Sequence, residues 1–159
     1  MTLYFTGRSL SQLIYGPLTD SIGRQKPLLF GVALFLIASI FASFSSQVET
    51  LMLARLLQGL GAGATACIWR AMFLDHYDKD EIVVYSSYLQ MFILFTLPSA
   101  PLIGGYLDTH VSWSAPFMFM SIYALICLFL ITLLPEKPLD EPQPFNIKSL
   151  TTQYWKIIS

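Results

Sequence analysis

Arg55, Gln58 and Gly59 stand at positions i, i+3 and i+4 of the run Ala54–Arg55–Leu56–Leu57–Gln58–Gly59–Leu60–Gly61–Ala62–Gly63–Ala64. On a helix these offsets share one face. A charge in so apolar a setting is costly unless it faces a polar cavity or finds partners. Arg55 should therefore point into the protein, with Gln58 and Gly59 on the same face toward a cavity. The other reading is that it lies about one turn inside the surface and snorkels out to it. Arg8, Gln12, Tyr15 and Thr19 make a second polar stripe at helical spacing, suited to lining a cavity.

Two further groups bear on shape and movement. In Gly16–Pro17–Leu18–Thr19–Asp20–Ser21–Ile22–Gly23–Arg24–Gln25–Lys26–Pro27, Gly16 and Gly23 allow close packing and a tight reversal. Asp20 and Arg24 bring opposite charges to a helix boundary, where they can pair or meet helix ends. Pro27 suits the first turn of a following helix. In Thr96–Leu97–Pro98–Ser99–Ala100–Pro101–Leu102–Ile103–Gly104–Gly105, proline removes a backbone hydrogen bond and kinks the helix. The small residues around Pro101, Gly104 and Gly105 let a neighbour approach.

Nothing in the chain suggests group-transfer catalysis. There is no Ser/His/Asp, paired-carboxylate or metal-ligand constellation, so no catalytic residue, metal or cofactor is expected. His76 and His110 fall in separate polar connectors, and Cys67 and Cys127 lie inside apolar runs as small hydrophobes. The glycines after Gln58 are not a nucleotide fingerprint, because no strand–turn–helix context surrounds them. A net charge of −1 gives no reason to expect nucleic acid as a partner.

These residues must be positioned by helices within a bilayer. The 159-residue chain is 55% hydrophobic and 12% charged, with a mean hydropathy of +0.60. A globular domain carries about 25% charged residues. Crossing a hydrocarbon core needs roughly 20 apolar residues. Five segments qualify as candidates: Leu3–Leu18, short and containing Arg8; Pro27–Phe44; Leu51–Phe73, with Arg55 and Arg70; Ile82–Leu107; and Trp113–Leu134. Phe117–Leu134 is apolar nearly all round, unlike the one-sided helix of a soluble protein. The fold class is thus all-α, a polytopic membrane helix bundle, with the lipid bilayer as its first partner.

The connectors Thr19–Lys26, Ser45–Thr50, Leu74–Glu81 and Asp108–Ser112 are short, so neighbouring helices should be antiparallel. One side carries Arg24, Lys26, Lys79, Lys137, Lys148 and Lys156; the other carries Glu49, Asp108 and His110 and no Lys or Arg. Positive charge stays inside, which makes the first side cytoplasmic. Residues 1–134 form the membrane bundle, and 135–159 a cytoplasmic linker rich in proline from Pro135 to Pro144. Ser149–Ile158 could form a short amphipathic helix with Leu150, Tyr154, Ile157 and Ile158 on one face, or remain an unstructured tail.

The first loop resembles the motif Gly-x-x-x-Asp-Arg-x-Gly-Arg-Arg/Lys between the second and third helices of the major facilitator superfamily. Ser21 and Gln25 depart from it, with Lys26 one residue late. Arg55–x–x–Gln58–Gly59–x–Gly61 looks like the family's fourth-helix motif. Trp69–Arg70–Ala71–Met72–Phe73–Leu74–Asp75 resembles the Arg-Ala-x-x-Arg-Asp signature of the drug:proton antiporter branch related to bicyclomycin-resistance proteins, with Leu74 replacing its second arginine. Arg70 can equally be a cationic anchor at a helix C-terminus. The Pro101 segment looks like the antiporter motif Gly-x-x-x-Gly-Pro-x-x-Gly-Gly, with Thr96 and Ala100 in place of two glycines; a plain packing kink is the alternative. Ser11–Gln12–Leu13–Ile14–Tyr15 and Trp113–Ser114–Ala115–Pro116–Phe117 are also similar to this branch, whereas Arg8 has no counterpart in it.

The resemblance covers about residues 5–135 and maps them onto the second to sixth of twelve helices. It implies an inner-membrane fragment of a proton-coupled multidrug efflux antiporter that exports small amphipathic molecules by alternating access. Such a fragment is expected to be inactive alone and to need a complementary C-terminal half. No Asp or Glu lies deep in a span, so either a coupling carboxylate lies elsewhere or this is not a coupled transporter. The alternative is a non-transporting membrane subunit or the remnant of a disrupted transporter gene.

Overall fold

A computed structural model of the chain describes residues 2–76 and 78–133; the linker expected over 135–159 lies outside them. Among the described residues there are five helices and no strand. They are α1 (Thr2–Ile22), α2 (Gln25–Ser43), α3 (Val48–His76), α4 (Lys79–His110) and α5 (Ala115–Leu133). Each matches one expected span; α1, α3 and α4 reach further into the connectors at both ends, α2 starts two residues earlier and ends one earlier, and α5 starts two residues later, at Ala115. The first connector shrinks to Gly23 and Arg24 because Gly23 takes φ 95°, a left-handed conformation that reverses the chain in one step. Pro27 falls in the first turn of α2, where a missing N–H costs nothing. Asp78 caps α4 in a capping box with Glu81, so that helix begins three residues before Ile82. Pro116 is the second residue of α5.

Four helices are long and apolar enough to cross a membrane: Gln25–Ser43, Val48–Phe73, Glu81–His110 and Ala115–Leu133. The fifth, α1, has 21 residues, roughly 31 Å of helix at 1.5 Å per residue, and carries Arg8 and Asp20 among its apolar side chains. It packs along α3, which is the centre of the assembly. α3 lies between α1 and α2, α5 lies against α2, and α4 has α5 as its main neighbour.

Small residues set how close these helices come. A Cβ added at Gly59 or Gly63 of α3 would strike Tyr4 O or Ser11 Oγ of α1. One added at Gly61 would sit 2.5 Å from Gly31 O and 2.7 Å from Phe35 N of α2. Without hydrophobic drive between helices in lipid, such backbone approach is what van der Waals packing needs. Residue numbers rise together across the α1–α3 contact and oppositely across α2–α3. α1 and α3 are therefore parallel and α2 antiparallel to both, as successive crossings must be.

Two apolar clusters close the bundle. Tyr15, Leu28, Val32, Ala64 and Ile68 join α1, α2 and α3, with Cys67, Cys127, Leu128 and Ile131 packed around them. Ala42, Ala54 and Phe117 join α2, α3 and α5 at the end away from the Gly23 turn. Gln25 Nε2 donates to Ile131 O at 3.0 Å, satisfying one of the carbonyls that the last turn of α5 leaves open. The large apolar side chains left outside, among them Phe30, Phe41, Phe92, Leu102 and Phe129, suit a surface that faces hydrocarbon.

Candidate functional site

The face of α3 that carries Arg55 meets α2 and α5. Gln58 is fully buried, and its Nε2 donates to Ser39 Oγ of α2 at 2.8 Å. Ser39 Oγ in turn donates to Phe35 O at 2.7 Å. Arg55 Nη1 donates to Gln58 Oε1 at 3.3 Å, and the guanidinium carbon lies 4.4 Å from the centroid of the Phe117 ring of α5. Arg55 is half-buried, with its guanidinium carbon over an aromatic ring and one N–H on an amide oxygen. It thus points into the bundle rather than out along the surface. The ring attracts a cation through its quadrupole, and the amide oxygen accepts a guanidinium N–H.

Gly59 does not belong to this face. It points at α1 and serves close packing against Tyr4 and Arg8, so the sequence offsets i+3 and i+4 diverge here onto two neighbours. The stripe read from α1 is also divided. Tyr15 and Thr19 are buried, Arg8 is half-buried and Gln12 is exposed. Tyr15 belongs to the apolar cluster, and Thr19 Oγ1 bonds its own helix at Gly16 O, 2.6 Å away. Among the described residues nothing lies within 4 Å of a Cβ added at Gly16, and Gly23 provides the turn. Asp20 falls in the last turn of α1 and Arg24 in the connector that follows.

Pro98 and Pro101 lie inside α4, which continues from Lys79 to His110. Among the described residues nothing lies within 4 Å of a Cβ added at Gly104 or Gly105, and none of residues 81–110 is buried. The structure does not bring this segment to the Arg55 face.

Ser39 and Phe117 are the residues that sequence reasoning missed. Ser39 left a signal, a lone hydroxyl within Gly31–Ile40 of an otherwise apolar helix. Phe117 left none, being one aromatic among many in α5.

A bundle of long apolar helices with a buried polar relay on its central member defines a multi-pass membrane protein. Comparison with known sequences gives the family. The pattern of the Major Facilitator Superfamily matches residues 1–159, and the chain belongs to that superfamily of transporters. It is 34% identical to an uncharacterized transporter of Rickettsia bellii (strain RML369-C), over 99% of this chain and 38% of the relative. It is 33% identical to Multidrug resistance protein D of Escherichia coli (strain K12), over 97% of this chain and 40% of that protein. A Bicyclomycin resistance protein homolog of Haemophilus influenzae (strain ATCC 51907 / DSM 11121 / KW20 / Rd) is 27% identical over 86% of this chain and 34% of its own length. The chain thus spans about two fifths of the length of the first two relatives.

Proposed function

We propose that the chain forms part of the N-terminal half of a drug:proton antiporter that exports small amphipathic molecules across the bacterial inner membrane. The observation that carries this reading is Arg55: a cation held inside the bundle on Phe117 and Gln58, where a helix of purely structural use would carry an apolar residue. The names of the relatives, Multidrug resistance protein D and a Bicyclomycin resistance protein homolog, supply the substrate class. The acidic residues of the described helices lie near helix ends: Asp20, Glu49, Asp75, Asp80, Glu81 and Asp108. The proton-coupling carboxylate is therefore assigned to a part of the transporter outside these helices.

Alternating access rocks two repeats around a midplane site. Five helices supply less than one such pair, so the chain moves no substrate by itself and works with a complementary C-terminal half. The exposed α4 favours this, since its Gly104 and Gly105 have no neighbour among the described residues. The decisive experiment supplies that half in trans and follows dye export under a proton gradient. Arg55→Ala should abolish export with membrane insertion intact, and Arg55→Lys should restore it only in part, because the planar fork is lost. Full export by Arg55→Ala would refute the reading. Gradient-driven uptake by liposomes holding the chain alone would refute its dependence on a second half.

A further inference from the structure

We propose that Phe117 and Ser39 are positioning residues for Arg55: the ring of α5 seats the guanidinium, and the hydroxyl of α2 fixes the amide that orients it. The argument begins with the direction of each hydrogen bond. Ser39 Oγ gives its proton to Phe35 O at 2.7 Å, so toward Gln58 it can only accept. Gln58 must then present its NH2 to Ser39, at 2.8 Å. Its Oε1 is thereby turned toward Arg55, whose Nη1 donates to it at 3.3 Å. The reverse orientation would set an NH2 against a guanidinium, donor against donor. Because Gln58 and Ser39 are both fully buried, no water can rescue that arrangement.

The second constraint is independent of the first and comes from another helix. Phe117 is buried against Ala42 and Ala54, two small residues that fix where its ring can lie. The guanidinium carbon stands 4.4 Å from the ring centroid. Amide and ring together hold the guanidinium from two sides, which restricts the freedom of a long side chain. One of its five N–H donors is engaged by Gln58, leaving the rest of the fork for an acceptor such as a carbonyl or carboxylate in the pathway. The same contacts couple α2, α3 and α5, so a movement of α5 that withdraws the ring also changes the setting of Arg55.

What Arg55 is positioned to do rests on the transport reading above; that it is held this way does not. The test uses the full chain in lipid nanodiscs and an arginine-selective dicarbonyl, with modification read by mass spectrometry at Arg55 and at Arg24 as internal reference. Phe117→Leu should raise the relative rate at Arg55 by about tenfold, the loss of one cation–π contact of intermediate burial. Phe117→Tyr and Phe117→Trp, which keep a ring face, should hold the rate near that of the unaltered chain. Ser39→Ala should raise it by about threefold, one interhelical hydrogen bond within a membrane. An unchanged rate in Phe117→Leu overturns the proposal, as does an equal rise in Phe117→Leu and Phe117→Tyr. A matching rise in thiol reactivity at Cys127 in Phe117→Leu also overturns it, because α5 as a whole would then have loosened. Export measured in cells on the same variants, with the complementary half supplied in trans, separates the two readings. Loss of export in Phe117→Leu with rescue by Phe117→Tyr supports positioning for transport. Retained export in Arg55→Ala refutes the transport role of Arg55 and leaves the modification result standing.

Discussion

Replacing glycine by alanine at Gly61 and at Gly104 should move stability in opposite directions. In a helix interior alanine is favoured over glycine by about 1 kcal/mol, when nothing opposes the new methyl group. At Gly104 nothing lies within 4 Å, so Gly104→Ala should stabilise by about that amount. At Gly61 the methyl would stand 2.5 Å from Gly31 O, 2.7 Å from Phe35 N and 2.9 Å from Phe35 Cβ. Two of these are backbone atoms of α2, which cannot swing aside, so α2 and α3 must separate. Overpacking of this kind costs about 1–3 kcal/mol, and rigid backbone on the far side puts Gly61 at the upper end. Subtracting the propensity gain leaves a net loss of about 2 kcal/mol. With about 2–4 °C for each kcal/mol in a chain of this size, Gly61→Ala should melt about 4–8 °C lower and Gly104→Ala about 2–4 °C higher. The assay is thermal unfolding of the purified chain in one detergent, followed by intrinsic fluorescence. A Gly61→Ala variant as stable as the unaltered chain would refute the close α2–α3 approach. A destabilised Gly104→Ala would show that α4 packs against something on that face.

Three further expectations follow from other parts of the bundle. Gly23→Ala places a Cβ at φ 95°, a cost of about 1–2 kcal/mol that should appear as a lower melting temperature, whereas Gly16→Ala should not lower it. A double-mutant cycle of Gln58→Leu with Ser39→Ala should give a coupling of about 0.6–1.7 kcal/mol in thermal unfolding, and zero coupling would refute the buried bond between them. With Cys67 and Cys127 replaced by alanine, Ser46→Cys should react with an impermeant thiol reagent from outside intact cells and Lys79→Cys should not. Outside labelling of Lys79→Cys would invert the orientation drawn from the lysines and arginines.

The number, order and alternating direction of the helices were legible because hydropathy over about twenty residues dominates in a bilayer. The helix ends were less so, for a local reason. Polar residues such as Thr19, Asp20, Asp78 and Asp108 look like connector, yet a helix in a membrane continues past the hydrocarbon wherever caps allow it. Asp78 with Glu81 is such a cap, and Gly23 such a stop. Packing partners were not legible at all. Gly59, Gly61 and Gly63 lie within five residues of one another, yet Gly61 faces α2 and the other two face α1. Only the three-dimensional order of helices decides which glycine meets which neighbour.

The same division runs through the candidate site. Arg55 and Gln58 are close in sequence, so helical spacing alone placed them together. Their partners are not close: Ser39 is 19 residues from Gln58, and Phe117 stands on another helix. Ser39 was at least marked as the lone hydroxyl of Gly31–Ile40, but Phe117 is one of several aromatics in α5, and nothing in the sequence pairs either with Arg55 or Gln58. The stripe Arg8–Gln12–Tyr15–Thr19 is divided by its neighbours: Tyr15 and Thr19 are buried, Arg8 is half-buried and Gln12 stays outside. A polar stripe becomes a cavity lining only where the neighbouring helix stands off, and at α1 glycines bring α3 into contact instead. Arg55 differs because the residues facing it, Phe117 and Gln58, accept a cation rather than exclude it, and that distinction is chemical before it is geometric.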